Sequence, residues 1–354
     1  MDLDNSTGFA SLDPGDMARH IAALPDQCEA AWRQVAGLDL PAALGDVDQV
    51  VILGMGGSAI GGALVQGLLS GECKVPIHVV RDYELPAYAH GPRCLAVACS
   101  YSGNTEETLW AADEALGRGI RIAVLTTGGR LAAWAEEHRL ALVRFEYASQ
   151  PRAALGYSFT LLLGMLWRLG LARDYSDDLA EALAHSREWQ REIAPAVPLA
   201  HNAAKMLAQG LRDRLPVIYG AGHLASVANR WKTQLNENAK HWAFWEALPE
   251  LHHNSVVGFD LPVSVRERVT VIMLRSSLDH PRVQRRWEVT EQLLHREGIA
   301  FQTLWARGDS RLAQMLTLVH FGDYVSFYLA MANNADPTPI GAIAFLKERL
   351  QQAA

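Results

Sequence analysis

The chain has 354 residues, 49% hydrophobic and 20% charged, with 32 Lys and Arg against 39 Asp and Glu for a net charge of −7. This composition excludes a disordered chain, and its acidic balance argues against a general nucleic-acid or polyanion binder, so an anionic small molecule would need locally positive potential. The length exceeds what one simple core accommodates and predicts two domains.

Residues 1–17 are polar and acidic and carry no signal-peptide pattern, and no uncharged apolar run reaches about 18 residues. The expectation is a cytoplasmic protein with no membrane contact. Cys28, Cys73, Cys94 and Cys99 show no C-x-x-C spacing, and three of them lie in or near apolar strands; they read as reduced core residues. Met17, Ile21 and Leu24 recur at helical spacing, so residues 1–45 are predicted as an N-terminal helical segment.

A short buried strand follows at Gln49–Leu53, then Gly54-Met55-Gly56-Gly57-Ser58-Ala59-Ile60-Gly61-Gly62 and a helix to about Leu69. Strand-like runs at Ile77–Val80, Leu95–Ala98, Ile122–Leu125 and Ala141–Phe145 alternate with helical stretches near Glu106–Leu116 and Arg130–His138. That alternation implies a doubly wound parallel sheet flanked by helices, an α/β fold. Pro151–Leu171 is an apolar helix suited to closing this first unit or meeting a second subunit.

The pattern then recurs. Leu215–His223 echoes the strand and Gly turn at Val51–Ser58, Val269–Ser277 echoes Leu95–Ser102, and Phe301–Trp305 resembles the close of the first unit at Leu142–Phe145. This predicts a duplication of a unit of about 130 residues. The expected boundaries are 46–172 for the first domain, 173–335 for the second with its helical linker, and 336–354 for a C-terminal helix.

The most chemically specific stretch is Ser100-Tyr101-Ser102-Gly103-Asn104-Thr105, between the apolar run Cys94–Cys99 and a helix. A strand that breaks into this loop presents hydroxyls and free N–H groups at a helix start, where partial positive charge favours an anion. Ser100, Ser102 and Thr105 can surround a phosphate monoester, and Gly103 permits close backbone approach. The bland alternative is a simple helix cap with Glu106 and Glu107 in the first turn. No Walker-type Lys is present. Ser276-Ser277-Leu278-Asp279-His280 in the repeat lacks the Gly-Asn-Thr, so only the first domain is expected to hold phosphate.

Gly54-x-Gly56-x-x-Ala59 with Asp82 after the next strand also fits a relaxed dinucleotide fingerprint, which makes a nicotinamide-dependent oxidoreductase a competitor. Two Gly/Ser turns at adjacent strand ends suit one small phosphorylated molecule better than a pyrophosphate.

These motifs, with Pro151-Arg152-Ala153-Ala154-Leu155-Gly156-Tyr157, Asn236-Glu237-Asn238-Ala239-Lys240, Glu250-Leu251-His252-His253-Asn254 and Lys347, resemble the bifunctional phosphoglucose/phosphomannose isomerase family of sugar isomerase (SIS) domain proteins. The resemblance runs from about Val51 to Lys347. It implies two tandem SIS domains and interconversion of glucose 6-phosphate and fructose 6-phosphate, with mannose 6-phosphate also accepted, through an enediol(ate). It implies Glu237 as the base that moves a proton between C2 and C1, and His253 as the group assisting ring opening. Arg152 would stabilise the enediolate oxygens, and Lys347 would assist ring opening or bind substrate hydroxyls. Gly57 and Ser58 would line the sugar side.

No metal or other cofactor is expected. Adjacent histidines on an extended segment diverge, and no third ligand lies near His252-His253. The family works as a homodimer whose ring-opening histidine reaches the neighbouring subunit's site. The rival reading is a sugar-phosphate sensor without turnover, but residues 1–45 are short and acidic for a DNA-binding segment. No Cys nucleophile or glutaminase region suggests aminosugar chemistry. Trp242, Trp245, Trp287 and Trp305 read as core or interface residues and decide nothing about substrate.

Overall fold

The computed structural model describes residues 1–352. β1 (Gln49–Leu53), β2 (Ile77–Val80), β3 (Cys94–Ser100), β4 (Arg121–Thr126) and β5 (Ala141–Arg144) form one parallel sheet in the order β2-β1-β3-β4-β5. β6 (Leu215–Ala221), β7 (Phe244–Leu248), β8 (Val269–Arg275) and β9 (Ala300–Trp305) form a second parallel sheet in the order β7-β6-β8-β9. β3 is buried at every position, as a central strand covered by helices on both faces requires. The strand order reverses between β1 and β3 and again between β6 and β8. Those are the two places where a doubly wound sheet opens a crevice at its carboxyl edge.

The duplication is real but truncated. β9 pairs with β8 as β4 pairs with β3, so Phe301–Trp305 is the counterpart of Arg121–Thr126 and not of Leu142–Phe145. The second sheet has no equivalent of β5 among the described residues. β7 was not legible as a strand, because Phe244 and Trp245 on this outer strand are exposed and give no buried alternation.

The two halves share one apolar core that includes Ile52 and Leu95 from the first sheet and Ile218 and Ile272 from the second. At its centre lies the helix Arg311–Ala332, buried at every position after Arg311. By length and composition alone it could cross a membrane, but it is enclosed by protein, and a helix surrounded on all sides needs apolar residues on all sides. Its neighbours are the helices Met17–Ala22, Ser176–Ile193, Ala203–Gly210 and Ala225–Glu237. The helix Leu155–Arg168 packs on Leu24–Val35 and Gly56–Leu69 within the same chain. Its apolar surface is therefore used internally, and the N-terminal segment is part of the core.

Cys28, Cys94 and Cys99 are buried and unpaired, and burial pushes their thiols up to about 11, 11 and 12. They are inert core residues.

Candidate active site

The crevice between β1 and β3 is built by two turns locked together. Tyr101 N–H donates to Ser58 Oγ at 3.2 Å. The Tyr101 hydroxyl bonds the 147–149 segment, donating to Ser149 O at 3.0 Å and accepting from Ser149 N at 2.9 Å. The Ser100 and Thr105 hydroxyls lie 2.9 Å apart and close the loop at its base. Gly103 has φ of +64°, and a Cβ there would collide with the Gly128 carbonyl oxygen. Only glycine fits. Thr105 occupies the N-cap position of the helix Glu106–Gly117, yet its side chain makes no cap bond. The first-turn N–H groups thus keep no side-chain acceptor, which is the arrangement an incoming anion completes.

The repeat treats the same place differently. Leu53 pairs with Ala98 and Tyr219 with Met273, so Ser100 corresponds to Arg275 and Thr105 to His280, each of the latter pair being the residue that precedes a helix. Here the cradle is filled from within. The buried amide of Gln314 accepts from Ser276 Oγ and donates to Ser277 Oγ at 2.8 Å and to Gly308 O at 3.0 Å. Arg275 turns away onto the Trp305 ring, 4.3 Å from its centroid, and bonds Glu291 and Gln284. Trp287 is fully buried, whereas Trp242, Trp245 and Trp305 are exposed.

Arg152 and Glu237 come from different halves and meet. Arg152 lies in a short 3-10 turn, Pro151–Ala153, pressed against the first glycine turn: a Cβ on Gly57 would sit 3.1 Å from Arg152 N. Its side chain is 2% exposed. Nη1 lies 3.4 Å from Glu237 Oε2, Nε donates to Asn238 Oδ1 at 2.6 Å, and Nη2 donates to the carbonyls of Pro337 at 2.7 Å and Thr338 at 2.8 Å. Burial pulls the guanidinium's pKa down and the Glu237 charge opposes this. Glu237 ends the helix Ala225–Glu237 and is 26% exposed, so it faces the opening. Lys240 Nζ bonds Glu237 O at 2.6 Å and Pro337 O at 3.2 Å, capping the helix end. Contacts thus run unbroken from the Ser100 loop through Ser58 and Gly57 to Arg152 and Glu237.

His252-His253 lies in a 3-10 turn, Glu250–His253, and not on an extended segment. The side chains still diverge, since neighbouring 3-10 positions are about 120° apart. His252 is tied to Thr290 Oγ1 at 2.9 Å and Arg286 at 3.1 Å, and burial lowers its pKa. His253 is exposed. Lys347 lies on the helix Gly341–Gln352, where residues 341–350 are all exposed, including Phe345 and Leu346. Neither residue forms a hydrogen bond or ion pair with Glu237 within this chain. No group of three or more His, Cys, Asp or Glu side chains among the described residues is arranged to hold a metal ion.

Sequence reasoning missed Tyr101, Asn238, Arg230 and Asp323 as supports of this site. Asp323 carried a signal, being the one acid inside a predominantly apolar 22-residue helix. It pairs with Arg230 at 2.8 Å, and both are buried.

Residues 200–350 match the family model described as bacterial phospho-glucose isomerase C-terminal SIS domain. The chain is 39% identical to a bifunctional phosphoglucose/phosphomannose isomerase of Caldicellulosiruptor bescii, covering 95% of this chain and 99% of that one. It is 34% identical to the protein of the same name from Aquifex aeolicus, covering 92% and 98%. Among solved structures, tagatose-6-phosphate ketose/aldose isomerase from Escherichia coli superposes with a TM-score of 0.72 at 14% identity, covering 92% and 96%, a likeness of fold.

Proposed function

The chain belongs to the bifunctional phosphoglucose/phosphomannose isomerase family, and from that premise we propose how this isomerase of hexose phosphates works. The substrate phosphate sits on Ser100, Ser102, Thr105 and the free N–H groups of the helix behind them. Gly57 and Ser58 face the sugar. We take residues 46–172 as the half that holds phosphate and 173–335 as the half that supplies the base.

Once the ring is open, the Glu237 carboxylate removes the proton from C2 of the aldose. The C–H electron pair forms the C1–C2 double bond of an enediol(ate), and the carbonyl at C1 becomes a hydroxyl or oxyanion. Glu237 then returns the proton to C1 while the C2 hydroxyl proton passes to O1 and a carbonyl forms at C2, so no atom is gained or lost. Return of the proton to either face of C2 connects glucose and mannose 6-phosphates through the same intermediate. Arg152 Nη1, the one terminal nitrogen without a main-chain acceptor, is placed to meet the developing negative charge. His253 assists ring opening from the second subunit of a dimer, and Lys347 contacts substrate hydroxyls.

The observation that carries this reading is the Arg152–Glu237 pair, joined by continuous contacts to the hydroxyl loop. The test is formation of fructose 6-phosphate from glucose 6-phosphate and from mannose 6-phosphate, each with EDTA present. Turnover of both is expected. No turnover of either by the folded protein overturns the reading.

A further inference from the structure

Arg152 is nearly sealed from water, and a guanidinium taken out of water must have its donors satisfied. Its Nε and Nη2 are saturated by Asn238 Oδ1 and by the carbonyls of Pro337 and Thr338. Only Nη1 is left to face Glu237, and that bond is long, at 3.4 Å.

Asn238 cannot turn. It is 0% exposed, and its Nδ2 donates to Ser326 Oγ at 3.0 Å. Ser326 Oγ in turn donates to the Asp323 carbonyl at 2.7 Å, so the hydroxyl must accept from the amide. That fixes which end of the amide points at Arg152. Behind it, the Arg230 guanidinium bonds both oxygens of Asp323, at 3.2 and 2.8 Å, and its Nη2 also donates to the Arg152 carbonyl at 2.8 Å. Both the side chain and the main chain of Arg152 are therefore anchored to the central helix Arg311–Ala332.

We propose that Asn238 is a positioning residue: it holds the Arg152 guanidinium in register with Glu237 before substrate arrives, and its neutral amide leaves the charge of Arg152 available to Glu237 and the enediolate. The chemistry of the anchor is specific. A carboxylate at position 238 would bond Nε as well as the amide does, but it would neutralise Arg152 and stand as a second negative charge beside Glu237.

The proposal rests on the isomerase reading, so its test has one arm that needs no turnover. Asn238→Ala is expected to lower kcat by about 10- to 100-fold, the scale of loss when a catalytic group is displaced by about an ångström, with KM held within about threefold. Asn238→Asp is expected to move the Glu237 carboxyl titration, followed by carbon NMR on substrate-free protein, to higher pH, and to move the acid limb of the kcat/KM profile with it. Should Asn238→Ala fail to fold, Ser326→Ala frees the same amide and is expected to lower kcat in the same way. An unmoved Glu237 titration in Asn238→Asp, together with wild-type kcat in the Ala variants, overturns the proposal. A Glu237 titration raised also in Asn238→Ala, which adds no charge and can act only by letting Arg152 move away, in a protein with no isomerase turnover overturns the functional reading and leaves the positioning role standing.

Discussion

Arg152 and Glu237 approach to 3.4 Å with unequal burial, 2% exposed for the arginine and 26% for the glutamate. The cation is fixed and the carboxylate is open to a ligand, which is the division expected when one group stabilises charge and the other moves a proton.

Glu237→Gln is expected to cut kcat by about 10²–10⁴-fold, because the amide keeps the shape but cannot accept the C2 proton. Substrate affinity should change little. Arg152→Lys keeps the charge but has a single ammonium in place of a planar fork reaching Asn238 and two carbonyls. It too should lower kcat well beyond its effect on KM. Steady-state kinetics on both variants check this, and a wild-type kcat in Glu237→Gln removes it from the role of base.

Ser102→Ala and Thr105→Val are expected to raise KM for the phosphorylated sugar, each removing a charge-assisted bond worth about 1.5–3 kcal/mol. Ser276→Ala and Ser277→Ala should leave KM unchanged and lower the melting temperature. Their partner is the buried Gln314 amide, and leaving its groups unsatisfied costs about 1–3 kcal/mol. Kinetics and thermal melts on the four variants separate the two loops. An equal KM effect in both would mean that the Gln314-filled loop also binds substrate.

The hydroxyl loop was legible because its chemistry is local: strand, Ser-x-Ser-Gly-Asn-Thr and helix are contiguous, and β3 and the helix Glu106–Gly117 lie where periodicity placed them. The supports of Arg152 were not, because they are assembled from three distant segments. Asn238 is separated from Arg152 by 86 positions and Pro337 by 185, and main-chain carbonyls such as those of Pro337 and Thr338 leave no mark in a sequence. Phe301–Trp305 was matched to the wrong strand for a related reason. An apolar run shows that a strand exists but not its neighbour, which is set by pairing with β8.

Two buried histidines predict how stability depends on pH. Burial drives His320 down to about 4, partly opposed by its bond to the Ile21 carbonyl, and burial with the nearby Arg311 drives His223 down to about 4. Unfolded, each regains an ordinary value near 6.5. Between these values the unfolded chain binds more protons, so stability is full above about pH 6.5 and falls as pH drops toward 4. The limiting loss is about 3 kcal/mol for each histidine. Melting temperature measured from pH 8 to 4 should fall through that window. His320→Gln, which can still donate to the Ile21 carbonyl, should flatten the fall, and an unchanged slope would exclude His320 as a contributor.

His253 is expected to serve the crevice of a second subunit. His253 is exposed at the end of its 3-10 turn, and the segment beyond it carries Val257 and Leu261, 80% and 74% exposed, with Val263 and Val265 close behind. Apolar surface of this kind gains by being covered. If a two-fold copy covers it, each His253 enters the other subunit's crevice, because an isologous contact is made reciprocally. Glu237→Gln and His253→Ala proteins should each be inactive alone. Unfolded together in equal amounts and refolded, about half of the dimers are mixed. In a mixed dimer one site carries both defects and the other carries neither, so activity should approach about one quarter of wild type. Were His253 to serve its own subunit, every site would keep one defect and no activity would return. Mass measurement of the refolded pool establishes that mixed dimers formed, and their presence without activity would place His253 in cis.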